Sequence, residues 1–302
     1  MEHNLSTKVQ TIGLLSPGHM GHLIGLTLQR SGFNIITSLH DRSTRTKNLS
    51  EKANILNVGT IKNLVNESDI LLSIVPPQNA LEVATTVASE IQSSGKTALY
   101  VDCNAIAPQT TKKIGSIIIK SGFHFIDGGI IGSPPSKNSI TRLYVSGPKA
   151  NDITLLNTNN FSIIRIGDLI GTASALKMCY AALTKGTAAL QLAQLTVAQI
   201  LGIDNYLEEE LLLSKNDLYT SMKNSLPKLP AKTHRWIEEM NQISLTFKSA
   251  GVTGSFHSGA KESYKKVSKT SFAQEDEIEV DSNRTLKATI DELVKIHKNC
   301  PE

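Results

Sequence analysis

Hydrophobic residues in the first half of the chain fall into short unbroken runs. Lys8 to Leu15, Phe33 to Leu39, Ser68 to Val75 and Thr97 to Val101 are largely apolar rather than alternating. Such runs belong to strands covered on both faces, the situation of a parallel sheet. Between them, the stretch from His22 to Gly32 and the stretch from Ala80 to Gln92 read as helices, with Gly32 as a C-cap. Strands alternating with helices predict a doubly wound α/β sheet whose ligands gather at the carboxyl ends of the strands. The pattern changes at Asp168. From there to Gly202 the chain is free of proline and dense in Ala and Leu, which predicts one long helix with Asp168 as its N-cap. That helix is on the order of 50 Å long, more than one domain needs, and is expected to join two. Beyond it, Tyr206 to Leu213, Asp217 to Asn224, Ala231 to Ala250 and His257 to Val267 have helical character, broken at Pro227, Pro230, Gly251 and Gly254. Ser268 to Asn283 is polar and acidic and reads as a flexible linker; Thr285 to His297 reads as a short amphipathic helix.

The candidate chemistry lies where strands end. After the first strand comes Ser16-Pro17-Gly18-His19-Met20-Gly21, a degraded form of the Rossmann dinucleotide fingerprint. Gly18 and Gly21 fit its second and third glycines; Ser16 fills the first position, with Gly13 displaced upstream. The second strand runs into His40-Asp41-Arg42-Ser43-Thr44-Arg45. Asp41 follows Gly21 at about the 20-residue spacing of an acid that takes the NAD ribose diol. Arg42, Ser43 and Arg45 offer a guanidinium, a hydroxyl and a second cation, which suit the 2′-phosphate of NADP, and on balance favour it. Val75 to Asn79 and Asp102 to Pro108 follow the next two strands. Phe123 to Pro135, rich in glycine and proline, reads as a loop before a strand at LYVSG. On the long helix, Lys177 and Lys185 are the only charges between Leu169 and Ile203. Either the Lys177 stem lies on apolar surface with its ammonium in water, or its charge has a task. Thr233 to Met240 gathers the chain's one tryptophan, Trp236, with a histidine and two acids, as an anchor or as a substrate contact.

Composition narrows this picture. A chain of 302 residues is long enough for two domains, and a net charge of +4 without a basic run does not indicate nucleic acid. Cys103, Cys179 and Cys300 are too far apart for a zinc spacing or a disulfide framework, so no metal is expected and a reducing cytoplasm suits the chain. The start, MEHNLSTKVQ, lacks the apolar core of a signal peptide, and no apolar run suits a membrane span.

Taken in order, these segments resemble the β-hydroxyacid dehydrogenase and 6-phosphogluconate dehydrogenase superfamily. Its members carry an I-G-L-G-x-M-G opening, an N-R-T type cofactor selector, V-D-x-S-T-x-x-P and D-A-P-V-S-G-G loops, and a lysine helix G-x-G-x-x-x-K-x-x-x-N. Here the five appear as Ile12-Gly13-Leu14 with Gly18-His19-Met20-Gly21, Asp41-Arg42-Ser43, Val101 to Pro108, Asp127 to Ser133, and Gly171 to Ala181. The resemblance covers about residues 8 to 260, and five motifs in order are far more specific than any one. The chain departs from the pattern as well: Ala181 replaces the helix asparagine, Ile131 the substrate-binding serine, and Asn104-Ala105 the Ser-Thr pair, while the glycine turn has three extra residues. The variants DCNAIAP, DGGIIGSPP and SALKMCYAALTKG, with KTHRWIEEM downstream, resemble a less characterised phosphogluconate-dehydrogenase-like branch with a C-terminal domain type of its own.

The resemblance implies an α/β Rossmann domain over residues 1–166 and an all-α domain over 167–267 for substrate and dimerisation, joined by the long helix, with 268–302 as linker and terminal helix. It implies an NADP-dependent oxidoreductase, NAD being the alternative cofactor, that moves a hydride between NADPH and a small carbonyl or hydroxy-acid-type substrate. Lys177, in the place of the catalytic lysine, is then the general acid in reduction and the base in oxidation, with Tyr180 and Thr184 at i+3 and i+7 able to carry or relay its proton. The cofactor would meet Ser16, Pro17, Gly18, His19, Met20, Arg42, Ser43, Arg45, Val75, Pro76 and Asn104. The substrate would meet Asn104, Gly129, Ile130, Ile131, Gly132, Lys177, Thr184 and Trp236. A homodimer through the helical domain is expected. Loss of carboxylate-binding side chains leaves two other readings open, an imine reductase of the same fold and a non-catalytic dinucleotide-binding sensor.

Overall fold

In the computed structural model, which describes residues 9–277 and 279–299, the apolar runs become the centre of an eight-stranded sheet. The strands are β1 (Thr11–Leu15), β2 (Asn34–Thr37), β3 (Leu56–Asn57), β4 (Ile70–Ser73), β5 (Leu99–Asp102), β6 (His124–Ile131), β7 (Thr141–Ser146) and β8 (Phe161–Arg165), in the order β3-β2-β1-β4-β5-β6-β7-β8. Among these described strands, β6 and β7 pair antiparallel and the other neighbours pair parallel. The helices of this unit are α1 (Gly21–Arg30), α2 (Thr44–Lys52), α3 (Ile61–Glu67), α4 (Ala80–Ser94) and α5 (Pro108–Ser121). One sheet face packs Ile12, Leu14, Ile70, Leu72, Val101 and Ile126 into a core; the other packs Leu15, Leu71, Tyr100 and Phe125 with Val87 of α4 and Ile114 of α5. Both faces are covered, which is why the runs are apolar at every position. Strand order reverses between β1 and β4, and the carboxyl ends of strands at such a switch point are where ligands of doubly wound sheets lie.

Two expectations are corrected here. Residues 124–131, read as part of a loop, are a regular strand running through the double glycine. The glycines answer crowding rather than a turn: a Cβ at Gly128 would lie 2.9 Å from the Asp102 carbonyl oxygen, and one at Gly129 would lie 2.7 Å from that of Ala173. Asp168 is not the cap of the long helix α6 (Thr172–Ile200). Its carboxylate takes the Arg165 guanidinium at 2.5 Å, and the helix is capped from β6 instead.

The chain divides within α6, into one unit through Met178 and another from Cys179. The second unit is helical, with α7 (Asp204–Ser214), α8 (Asn216–Ser225), α9 (Thr233–Ser249), α10 (Ser255–Val267) and α11 (Leu286–Asn299). The acidic stretch before α11, expected to be flexible, uses its charges as partners. Arg284 ion-pairs with Glu275, donates to the Pro227 carbonyl at 3.2 Å and stands 3.9 Å over the Phe272 ring. Glu277, with only 4% of its side chain exposed, takes Arg235 at 2.5 Å. Cys300 and the first eight residues lie outside the described residues.

Candidate functional site

The turn from β1 to α1 shows how this chain manages without the first fingerprint glycine. Ser16 itself adopts φ +71°, the left-handed conformation that glycine adopts without strain. The Gly18 N–H closes the turn on the Ser16 carbonyl at 2.8 Å, and a Cβ at Gly21 would sit 2.9 Å from that oxygen. Gly18 has no atom within 4 Å of where a Cβ would be, which leaves the backbone open to a close-lying group. His22 braces the turn, its Nδ1 lying 2.8 Å from the Gly18 carbonyl; burial lowers its pKa, favouring the neutral ring. Close packing of helix on sheet falls to Gly25, where a Cβ would meet Leu14 at 2.8 Å, and the sequence reading missed it. Gly13 serves β1 packing, not the turn: its Cβ would lie 2.2 Å from Ser68 Oγ.

At the end of β2 a pocket of about 470 Å³ is lined by His40, Asp41 and Arg42 and by Asn79, Glu82, Val83 and Thr86 around the start of α4. Asp41 stands in the left-handed region at φ +56°, its carboxylate 87% exposed and paired with His40 at 2.8 Å. Arg42 has its Nε buried with no hydrogen-bond partner among the described residues. Ser43 Oγ caps α2 by accepting the Thr46 N–H at 3.2 Å, and Arg45 is exposed as the second residue of that helix. An open glycine turn and an orphaned guanidinium N–H beside a pocket are features that fit a nicotinamide dinucleotide.

Across the carboxyl edge of the sheet runs a buried polar row. Ser73 of β4, Asp102 of β5, Asp127 of β6 and Ser146 of β7 are register neighbours on successive strands. Asn104 ties the row to the loops: its side-chain oxygen accepts the Val75 N–H at 2.7 Å, its amide donates to Ser73 Oγ at 3.1 Å, and its backbone N–H donates to Asp102 Oδ1 at 2.9 Å. The side chain expected to hold substrate is thus engaged in shaping the β4 and β5 loops. Val75 is buried and Pro76 exposed. The two carboxylates differ sharply. Asp127 receives the N–H groups of Gly171, Ala173 and Ser174 and the hydroxyls of Ser174 and Ser146. Asp102 Oδ2 is buried with no partner among the described residues. Burial, reinforced by the charge of Asp127 and opposed by the Asn104 N–H, pushes the Asp102 carboxyl up to about 7.

This difference has a measurable consequence. An unfolded Asp loses its proton near pH 4, whereas folded Asp102 keeps its proton until about pH 7, so its contribution to stability falls as pH rises through that window and levels off above it. Asp102→Asn removes the titration. Its melting temperature relative to wild type is expected to climb by at least roughly 3 °C between pH 5 and pH 8. A difference independent of pH would show that Asp102 is ionised in the fold throughout.

Lys177 lies near the start of α6, half-buried, and Gly129 is what brings β6 against that turn: a Cβ there would be 3.0 Å from Lys177 Cβ. Ile130 and Ile131 are buried, and Gly132 is exposed at φ +112°. Tyr180 and Thr184 are exposed, the Thr184 hydroxyl donating to the Tyr180 carbonyl at 3.2 Å. In the second unit, Trp236 packs edge-on to Tyr264, ring centroids 5.3 Å apart, with the Lys185 ammonium 5.1 Å from its ring centre. Lys185 is ion-paired with Glu239, and Tyr264 donates to the Lys185 carbonyl at 2.6 Å. Cys103 is buried and Cys179 exposed, both free. Among the described residues no three His, Cys, Asp or Glu side chains gather as a metal ion would require, and no helix is long and apolar enough to cross a membrane.

A mostly parallel sheet whose order reverses beside a glycine turn at β1 is the architecture of a dinucleotide-binding α/β unit. Residues 8–155 match the NAD binding domain of 6-phosphogluconate dehydrogenase, and residues 198–267 match a domain of unknown function, DUF1932. The chain therefore carries the NAD-binding domain of the 6-phosphogluconate dehydrogenase family followed by a DUF1932 domain. An uncharacterized 28.5 kDa protein of Methanothermus fervidus is 35% identical over 173 residues, 57% of this chain and 65% of that protein. Among solved structures, MTH1747, a conserved protein of unknown function with structural similarity to 3-hydroxyacid dehydrogenases, is 27% identical with a TM-score of 0.63, over 85% of this chain and 96% of its own. Mycobacterium tuberculosis 3-hydroxyisobutyrate dehydrogenase shares the fold at 16% identity and a TM-score of 0.68, over 90% and 98%. An imine reductase of Bacillus cereus does so at 14% and 0.52, over 96% and 100%. The fold is thus that of the hydroxyacid dehydrogenases, with a nicotinamide dinucleotide as the cofactor class.

Proposed function

We propose that this protein is an NADPH-dependent oxidoreductase that transfers a hydride to a small carbonyl or imine, or the reverse, with Lys177 as the residue that moves the proton. The observation that carries this reading is the contact of Gly129 with the turn of α6 that bears Lys177. It places a lysine at the carboxyl edge of a dinucleotide-binding sheet, where ligands of such folds lie. NADPH, when bound, supplies the hydride. Lys177 gives a proton to the forming oxygen or nitrogen anion and takes it back in the oxidative direction. The Gly129 backbone and the loop to Gly132 hold the substrate, and Arg42 takes the 2′-phosphate, supported by its orphaned Nε and by Asp41 being occupied with His40. The two free cysteines among the described residues suit a reducing cytoplasm.

A second reading is favoured by Ala181 and Ile131, both buried apolar side chains at positions where the resembling dehydrogenases have polar ones. An imine needs no carboxylate-binding partner, so reduction of C=N belongs in the same assay. NADPH oxidation is followed across a panel of aldehydes, keto acids and imines. Turnover of one class is the expected result; tight NADPH binding with no turnover of any class would favour a sensor.

The helical unit is proposed to form a homodimer. On α6, Tyr180, Leu183, Thr187, Leu190, Gln194 and Val197 recur at alternating three- and four-residue steps, and Leu183, Leu190 and Val197 are 70%, 67% and 53% exposed. Beside them lies a hollow of about 610 Å³ lined by Leu183, Leu190, Phe247 and Phe256 and by His257, whose Nδ1 is buried without a hydrogen-bond partner among the described residues. Light scattering at micromolar concentration is expected to give twice the chain mass, and Leu190→Glu is expected to give the single chain. A monomeric wild type would contradict the assignment.

A further inference from the structure

We infer that Asp127 is the positioning residue for Lys177, fixing the first turn of α6 so that the lysine is held at one place on the edge of the sheet. The inference rests on the reading of Lys177 as the proton carrier and goes beyond it by naming what holds that residue. A helix start ordinarily leaves its first N–H groups without intrahelical partners and is capped by a residue just before it. The local acid, Asp168, is turned away to Arg165. The cap comes instead from a strand more than forty residues earlier. Asp127 is fully buried, its Oδ2 accepting the N–H groups of Gly171 at 2.8 Å and Ala173 at 2.9 Å and the Ser146 hydroxyl at 2.9 Å. Its Oδ1 accepts the Ser174 hydroxyl at 2.5 Å, and the Ser174 N–H is shared between the two oxygens at 3.2 Å. Ser174 Oγ also lies 2.7 Å from Thr111 Oγ1 of α5, so the helix start is pinned from two elements. A carboxylate is well suited to this place, since charge-assisted bonds are the strong ones and the helix dipole favours a negative charge here.

The same strand sets the other coordinate. Two residues beyond Asp127, Gly129 lies against the Ala173 carbonyl and Lys177 Cβ, with no room for a side chain between strand and helix. Ala173 and Ser174, held by Asp127, are four and three residues before Lys177, the spacing at which residues stack on one helical face. Asp127 thus fixes where the turn begins and Gly129 how near it comes, and neither residue supplies a reacting group. Ser146, its register neighbour on β7, orients Asp127 Oδ2 and reaches the Ala173 N–H at 3.1 Å as well.

The test uses the full chain with its lysines reductively methylated with ¹³C. The Lys177 resonance is assigned by its absence from Lys177→Arg. In Asp127→Asn, that resonance is expected to move and its titration midpoint to change, while those of Lys96 and Lys149 in the same unit stay in place. On whichever substrate the panel yields, kcat is expected to fall about tenfold or more with the KM for NADPH changed less than about twofold, because a small misplacement of a reacting group is costly. Where Asp127→Asn does not fold, Ser174→Ala, which removes one hydroxyl donor and leaves the backbone cap, is expected to show the same changes in smaller measure. A folded variant whose Lys177 resonance and kcat both match wild type would overturn the inference, as would a loss of melting temperature alone. If Lys177→Met keeps its turnover while Asp127→Asn still moves the Lys177 resonance, the proposed proton carrier is wrong and the hold of Asp127 on the lysine stands.

Discussion

Lys177→Met is expected to lose about a hundredfold or more in turnover, the usual size of a general-acid contribution, while binding NADPH as wild type does. The substitution leaves a side chain close in length and removes the charge and the transferable proton. Packing of the stem near Gly129 is therefore retained, and the melting temperature is expected to stay near wild type or to rise slightly as a half-buried charge is lost. The informative companion is Tyr180→Phe. Tyr180 is on the next turn of α6, 45% exposed, and is expected to matter little. Retained turnover in Lys177→Met together with loss in Tyr180→Phe would transfer the proton to the tyrosine. If neither variant loses turnover, α6 has no part in the chemistry.

Arg42→Ala is the second large effect. A guanidinium in contact with a phosphate dianion contributes roughly 1.5 to 3 kcal/mol as a charged hydrogen bond, so NADPH affinity is expected to fall about tenfold or more. NADH has no 2′-phosphate, and its affinity is expected to be unchanged. Asp41, which lines the same pocket and is paired with His40 at 2.8 Å, is the group that would oppose this preference by taking the ribose diol of NAD. Equal binding of the two cofactors by wild type, measured by fluorescence titration, would show that it does so.

How much of this could be read from the residues depends on whether the cause was local. Continuous apolar runs announced strands buried on both faces, and the alternation of runs with helices announced the sheet. Ala and Leu from Thr172 to Ile200 announced α6 for the same reason. What escaped was set by residues distant in the chain. The double glycine of β6 looked like a turn, because nothing near it in sequence shows that α6 and β5 press against it from outside. Asp168 looked like a cap, being beside the helix, whereas Asp127 reaches that position only once β6 lies in the sheet. The acids before α11 looked like solvated charges until Arg235 and Arg284 came to meet them. At the candidate site, the glycine turn and Arg42 stand out in the sequence because their residue types carry the signal locally. The polar row does not, because its four members come from four strands and line up only through sheet register. Asn104 is the instructive case: its loop position suggested a ligand contact, and its three bonds to Val75, Ser73 and Asp102 show a residue that shapes two loops.

The central claim is that a hydride leaves NADPH for a substrate in the presence of this protein. NADPH carrying deuterium at C4 of the nicotinamide, prepared separately on each face, is incubated with wild type and the panel of aldehydes, keto acids and imines, and the products are weighed by mass spectrometry. One deuterium on the reduced carbon, from one face of the cofactor only and about a hundredfold slower with Lys177→Met, is the predicted result. NADPH bound by the protein, with no deuterium reaching any member of the panel, would contradict it.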